Sequence, residues 1–150
     1  MLTFRKAESH LYDALMQLQE EQAGHYLNQT LALMGTTWQE YAELFRTVGQ
    51  VYGIYQDGRL AGFYWIEERD RILHLHGLIL TTEFQGQGIG SHVLQMLETE
   101  YRGRVEAIEL GVHESNARAI ALYQRFGYRT VKTLADLGFF VMQKALEADA

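Results

Sequence analysis

The run Gln85-Gly86-Gln87-Gly88-Ile89-Gly90, followed by Ser91, puts glycines where a strand-like stretch gives way to a helix-like one. Unpaired N–H groups at a helix start point toward an approaching anion, and the helix dipole strengthens the attraction. Glycine lets the backbone come within hydrogen-bonding range of a phosphate with no Cβ in the way. The run is therefore a candidate phosphate cradle, although glycine-rich turns also join strands to helices for structural reasons alone. A dinucleotide site is the competitor. Its fingerprint needs G-x-G-x-x-G, and here the third glycine comes one residue early, with Glu106 about twenty residues further on. That fingerprint normally follows the first strand of a parallel unit, whereas this run follows a meander. A nucleoside-triphosphate loop is excluded, because no Gly-Lys-Ser/Thr occurs.

His74 and His76 alternate just before this turn, so on a strand their side chains share a face. Such imidazoles could take a proton from an ammonium, directly or through water. The alternative is a pair of strand histidines satisfied by neighbouring polar groups. No convincing third ligand accompanies them, so no metal is expected. Glu67, Glu68, Glu109 and Glu114 are reserve bases, each otherwise a solvated charge. Tyr123 lies on the apolar side of a helical pattern, where a tyrosine ordinarily packs with its hydroxyl at the rim. Cysteine is absent, which excludes disulfides, thiolate metal sites and cysteine nucleophiles.

The elements that must position these residues follow from periodicity. Leu2 to Lys6 reads as a short strand. Leu11, Leu15 and Leu18 predict an amphipathic helix from Ser9 to about Gln22. Thr37-Trp38-Gln39-Glu40 has the capping-box form and starts a second helix, with Trp38, Tyr41, Ala42 and Phe45 on one face. Val51 to Tyr55 and Leu60 to Ile66 read as strands joined by a tight turn at Asp57-Gly58. Glu67 to Arg71 reads as a charged connection, and Ile72 to Leu80 as the next strand. After the glycine turn come a helix from Ile89 to Tyr101, a strand from Val105 to Val112, and a helix from Asn116 to Phe126 with Gly127 as its C-cap. Strands from Tyr128 to Thr133 and from Phe139 to Met142 close the chain. Strand, helix, strand in this half demands a parallel pair with a crossover helix. The fold class is α/β, expected as a single domain over residues 1–150: a mixed, mostly antiparallel sheet of six or seven strands with helices on both faces.

The order Gln85-x-x-Gly88-x-Gly90 after a strand, together with Asn116-x-x-Ala119-x-x-Leu122-Tyr123-x-x-x-Gly127-Tyr128, resembles the GNAT superfamily of acetyl-CoA-dependent N-acetyltransferases. The likeness is close from Ile72 to Tyr128, and the flanking elements fit the family's order. Leu73-His74-Leu75-His76-Gly77-Leu78, Phe84 to Gly88, and Tyr123-Gln124-Arg125-Phe126-Gly127 look like the arylalkylamine N-acetyltransferase branch. Many relatives carry proline where this chain has Thr82 and arginine where it has Gln85.

The resemblance implies that Leu78, Ile79 and Leu80 contact the pantetheine arm of acetyl-CoA through their main chain. It implies that Gln85, Gly86, Gln87, Gly88, Ile89, Gly90 and Ser91 hold the pyrophosphate. An N–H near Leu78 or Ile79 would polarise the thioester carbonyl. Tyr123 is similar to the family's tyrosine that protonates the coenzyme A sulfur, and His74 and His76 to a histidine pair that relays protons. Asn116 would contact the cofactor arm, cap its helix, or do both. Substrate walls would come from Glu20 to Thr37 and from Thr133 to Phe139, where His25, Tyr26, Met34, Trp38, Phe139 and Phe140 suit an aromatic or aliphatic amine or a core.

Composition agrees with an ordinary globular protein: 47% hydrophobic and 21% charged residues. The formal charge of -6 and the lack of a basic cluster argue against nucleic acid as a partner. An acidic surface favours a cationic substrate, and is also an ordinary means of staying soluble. No signal peptide or apolar span is read, so the expected location is the cytoplasm, with no membrane partner. The expected activity is acetyl transfer to a small-molecule amine. The alternatives are acetylation of a protein N-terminus or lysine, and a non-catalytic acyl-CoA sensor. A homodimer is what the resemblance implies for assembly.

Overall fold

In a computed structural model the chain is described over residues 1–147. Strand β1 (Leu2–Lys6) is followed by a 3₁₀ turn and the helices α1 (Tyr12–Leu33) and α2 (Trp38–Thr47). Next come β2 (Gln50–Gln56), β3 (Arg59–Arg69), β4 (Ile72–Leu80) and the helix α3 (Ile89–Tyr101). Then β5 (Ala107–His113), α4 (Ala117–Arg125), β6 (Arg129–Leu134) and β7 (Phe139–Ala145) complete it. The seven strands form a mixed sheet in the order β1-β2-β3-β4-β5-β7-β6, flanked by the four α-helices. β4 and β5 run parallel, with α3 as the crossover between them; β5 to β7 and β7 to β6 are antiparallel. Among the described residues no helix is long and apolar enough to cross a membrane.

Two compact units make up the chain. One comprises Met1–Ile66 with Gly77–Gln87, the other Glu67–His76 with the chain from Gly88 onward. In the first, Leu15 and Leu18 of α1 meet Phe45 of α2, Val51 of β2, and Phe63 and Trp65 of β3 in one apolar cluster. Phe45 sits edge-on to both Phe63 and Trp65, at 5.2 and 5.1 Å between centroids. Each such buried side chain contributes roughly 1.5–3 kcal/mol relative to exposure. Asp57 and Gly58 both take positive φ (51° and 82°), the turn that matches the twist of β2 and β3. Thr37 caps α2 by accepting from the Glu40 backbone N–H at 3.1 Å, as the capping-box reading expects.

In the second unit Leu73 and Leu75 of β4, Val93, Leu94 and Leu97 of α3, and Ile108, Leu110 and Val112 of β5 are buried. That is the burial expected of a parallel strand pair bridged by a helix.

Several boundaries differ from the sequence reading: β7 runs to Ala145 and not Met142, β5 starts at Ala107 and not Val105, and two further differences matter more. The first helix does not end near Gln22 but runs to Leu33, leaving only Met34 to Thr37 as a link. Its inner face continues through Gln19, Ala23, Gly24 and Thr30, all buried but small or polar, so hydrophobic periodicity faded while the helix did not. The presumed connection from Glu67 to Arg71 is mostly strand: β3 continues to Arg69, and only Asp70 and Arg71 turn, both at positive φ (54° and 62°). A turn that short joins antiparallel strands.

Candidate active site

The second half of β4 lies against β3 in the first unit. A Cβ on Gly62 would stand 2.1 Å from the Ile79 carbonyl oxygen, so only glycine permits this approach. The Thr81 N–H donates to the Ala61 carbonyl at 2.8 Å and extends the pairing past Leu78, Ile79 and Leu80. Gln85 is spent inside the turn that follows. Its backbone N–H donates to the Thr82 carbonyl, and its side-chain amide donates to the Leu80 carbonyl (3.0 Å) and to Gln22 Oε1 on α1 (2.9 Å). Gln22 in turn donates to Thr82 Oγ1 at 2.9 Å, and Gln87 to the Glu83 carbonyl at 3.0 Å. These side chains fix the shape of the turn.

Gly86 and Gly88 take left-handed conformations (φ 77° and 82°), and Gly88 is the N-cap of α3. No side chain caps this helix and its first turn carries no acid. The first intrahelical bond runs from the His92 N–H to the Gly88 carbonyl, so the N–H groups of Ile89, Gly90 and Ser91 precede the ladder. With the dipole behind them they form an anion-attracting helix start. Gly90 has a second role. A Cβ there would come within 3.3 Å of Leu122 Cδ2, so α3 packs tightly against the α4 residue that precedes Tyr123.

Helix α4 is fixed at both ends. Asn116 Oδ1 accepts from the Ala119 N–H at 3.2 Å, the capping half of the expectation for Asn116. At the far end Gly127 turns left-handed (φ 93°); its N–H donates to the Gln124 carbonyl, and the Tyr128 N–H to the Tyr123 carbonyl. This is a Schellman closure, and its 6→1 bond ends on Tyr123 itself. The Tyr123 side chain is 8% exposed, its ring 5.9 Å from that of Tyr128.

His74 and His76 stand side by side, their rings 14° from parallel and 5.9 Å between centroids. Each faces a glutamate that the sequence reading held in reserve as a solvated charge. His76 Nε2 lies 2.8 Å from Glu67 Oε1, within hydrogen-bonding distance, and His74 Nδ1 lies 3.3 Å from Glu109 Oε2. All four side chains are less than a third exposed. The hydrogen bond from His76 holds the Glu67 carboxyl below the usual carboxylate range, and Arg69, 3.3 Å away, adds to this. Burial pushes the His74 imidazole below its ordinary value; Arg69 and His76 act in the same direction, while Glu109 and Glu67 oppose them. Around neutrality Glu67 is therefore a carboxylate and His74 a neutral imidazole. Period-two alternation carried past Ile66, with Asp70 as the turn former, was the signal that could have placed Glu67 on a strand.

The other reserve acids have partners of their own. Glu68 accepts from Arg104, and the Glu114 backbone N–H donates to the Gly138 carbonyl. Of the residues assigned to substrate walls, Trp38 Nε1 donates to Asn28 Oδ1, His25 contacts Tyr26 edge-on, and Met34 is 60% exposed. Phe139 meets His113 edge-on, and Phe140 pairs with Val112 along β5. Among the described residues no group of three or more acidic or histidine side chains could hold a metal ion.

Residues 11–128 match the family model described as the acetyltransferase (GNAT) family. The chain is 32% identical over 98 residues to a mycothiol acetyltransferase of Propionibacterium freudenreichii, a match covering 61% of this chain and 30% of that protein's length. It is 31% identical over 104 residues to the spermine/spermidine N(1)-acetyltransferase of Bacillus subtilis, covering 63% of this chain and 68% of the other. Among solved structures, the PaiA N-acetyltransferase of Thermoplasma acidophilum in complex with coenzyme A superposes with a TM-score of 0.70. That superposition has 20% identity and covers 97% of this chain and 99% of the other.

Proposed function

This chain belongs to the acetyltransferase (GNAT) family and is an acetyltransferase by that membership, and we propose that it moves the acetyl group of acetyl-CoA onto the primary amine of a small cationic molecule. The observation that carries the reading is the start of α3: a glycine N-cap, no side-chain cap and no acid in the first turn. Its N–H groups suit a pyrophosphate, and Gly90 lies close to Leu122 on the helix that holds Tyr123. Acetyl-CoA supplies the activated acyl group; the chain's own residues bind it and manage protons.

In this reading Gly86 to Ser91 bind the pyrophosphate, and Leu78, Ile79 and Leu80 offer their main chain to the pantetheine arm. A backbone N–H near Leu78 or Ile79 polarises the thioester carbonyl. The amine must lose a proton before it attacks, and His74 and His76 accept it. Tyr123 gives a proton to the departing thiolate: a phenol with pKa near ~10 is protonated at neutral pH and can donate to it. A cationic acceptor suits a chain with 19 acidic against 13 basic residues. The Bacillus subtilis relative, a spermine/spermidine N(1)-acetyltransferase, is named for acceptors of this cationic kind. The reaction is assigned to the cytoplasm.

The test is calorimetric titration of acetyl-CoA into the purified protein, followed by a screen of polyamines and arylalkylamines that reads free thiol release. Saturable binding with thiol released by an amine establishes the reading. Absence of acetyl-CoA binding overturns it, and binding without turnover on any amine redirects it to an acyl-CoA sensor or a protein substrate.

A further inference from the structure

We propose that Glu67 and Glu109 are positioning residues that hold His76 and His74 in opposite tautomers, so that the two imidazoles present their basic lone pairs from different ring atoms. The inference rests on the reading of these histidines as proton acceptors. An ionised carboxylate can only accept hydrogen bonds. The proton between His76 Nε2 and Glu67 Oε1 therefore belongs to the imidazole, and the lone pair of neutral His76 is on Nδ1. On His74 it is Nδ1 that faces a carboxylate, Glu109 Oε2 at 3.3 Å, so the lone pair of neutral His74 is on Nε2. A ring nitrogen facing a carboxylate carries the proton, and the other nitrogen becomes the base.

Both carboxylates are themselves held from a further side. Arg69 Nη1 lies 3.3 Å from Glu67 Oε1, on the same strand as Glu67. Gln143 of β7 donates to Glu109 Oε1 at 2.8 Å, leaving Oε2 for the histidine. The sheet register produces this row: His74 is opposite Glu109, and Glu109 opposite Gln143. Charged or titratable groups near the two imidazoles include Glu67 and Arg69 from β3, Glu109 from β5, and each other. When the acceptor ammonium gives up its proton, its N–H bond breaks and a new N–H forms at His76 Nδ1. The imidazolium so formed is offset by the Glu67 carboxylate on its opposite nitrogen. Two near-parallel rings at 5.9 Å disfavour a second positive charge, and His74, whose charged form is disfavoured by burial, completes a pair that carries one proton beyond the two neutral rings.

The experiment is long-range ¹H–¹⁵N spectroscopy of histidine-labelled protein at about pH 8, with wild type, Glu67→Gln and Glu109→Gln. The expected wild-type result is Nε2–H on His76 and Nδ1–H on His74. Glutamine can donate as well as accept, so Glu67→Gln should give mixed tautomers on His76 alone, and Glu109→Gln on His74 alone. With an accepted amine, the acid limb of kcat/KM in Glu67→Gln should move down by about one pH unit, while KM for acetyl-CoA stays unchanged. The same tautomer on both wild-type rings, or unaltered tautomers in the variants, overturns the assignment. Altered tautomers with an unmoved acid limb overturn the positioning role. The spectra need neither acetyl-CoA nor amine, so opposite tautomers in a protein that acetylates nothing would support the assignment and sink the transferase reading instead.

Discussion

Gly62 on β3 faces the carbonyl oxygen of Ile79 on β4 so closely that a Cβ would stand 2.1 Å from it. The obstacle is backbone, so no rotamer change relieves it. Gly62→Ala must push β4 away just where Leu78 to Leu80 run. Overpacking of this kind costs about 1–3 kcal/mol or more, and chemical denaturation should show it. Gly58→Ala is the control: it has open space around it and only the strain of φ 82°, about 1–2 kcal/mol. If the two variants lose equal stability, the close approach is not what makes position 62 a glycine.

Tyr123 is anchored by a hydrogen bond from the Tyr128 N–H to its own carbonyl, so the helix end fixes its backbone. Tyr123→Phe keeps that bond and the buried ring and removes only the hydroxyl. A hydroxyl acting as the proposed general acid would contribute about 100-fold. The expected result is a fall in kcat of about that size with an unchanged acetyl-CoA Kd by calorimetry. An unchanged kcat would assign the thiolate's proton to another donor.

The second half of the chain was legible because each element there carries its own punctuation. Gly88 starts α3, Asn116 starts α4 and Gly127 ends it, and each is found in that role. The first half hid more. The buried face of α1 passes through Gln19, Gly24 and Thr30, so an apolar count stops before the helix does. Gln19 can be buried because the Tyr41 hydroxyl donates to its Oε1 at 2.8 Å, a pairing across 22 residues that no local pattern reveals. The candidate site was read residue by residue but not as pairs. His74 and His76 stood out by alternation, while Glu67 and Glu109 looked like ordinary charges. Their meaning lies in sheet register, which brings Glu109 opposite His74 from the far side of a crossover helix.

The His74 imidazole also makes stability depend on pH, with a definite sign. Its folded pKa lies below the ordinary value of 6.5, chiefly through burial and then Arg69. The unfolded chain therefore takes up the proton first as pH falls. The stability involved is fully present above about pH 6.5 and is lost as pH falls toward the folded value. Denaturation midpoints of the wild type should drop over that interval, and His74→Gln should flatten the slope there. The Glu67 carboxyl, also lowered, adds its own loss only below its ordinary value of 4.5, so the two contributions are separable. A His74→Gln curve parallel to wild type between pH of about 5 and 7 would mean that His74 is not destabilised as a cation.

The turn before α3 is held by two glutamines from distant parts of the chain: Gln85 donates to Gln22 Oε1, and Gln22 donates to Thr82 Oγ1. If this lattice sets the shape of the turn, its members act as a unit. Gln85→Ala loses the bonds to both Gln22 and the Leu80 carbonyl, and should cost about 1–2 kcal/mol. Gln22→Ala should cost about 1 kcal/mol, less because its side chain borders solvent. The double variant should cost less than the sum, with a coupling of at least about 0.5 kcal/mol. Acetyl-CoA affinity supplies the functional half of the cycle. Both single variants should weaken it, since a loosened turn no longer presents Gly86 to Ser91 in fixed geometry, and the double variant should weaken it little further. Strict additivity in stability and in affinity would show the glutamines to be independent surface contacts, leaving the glycines alone to shape the turn.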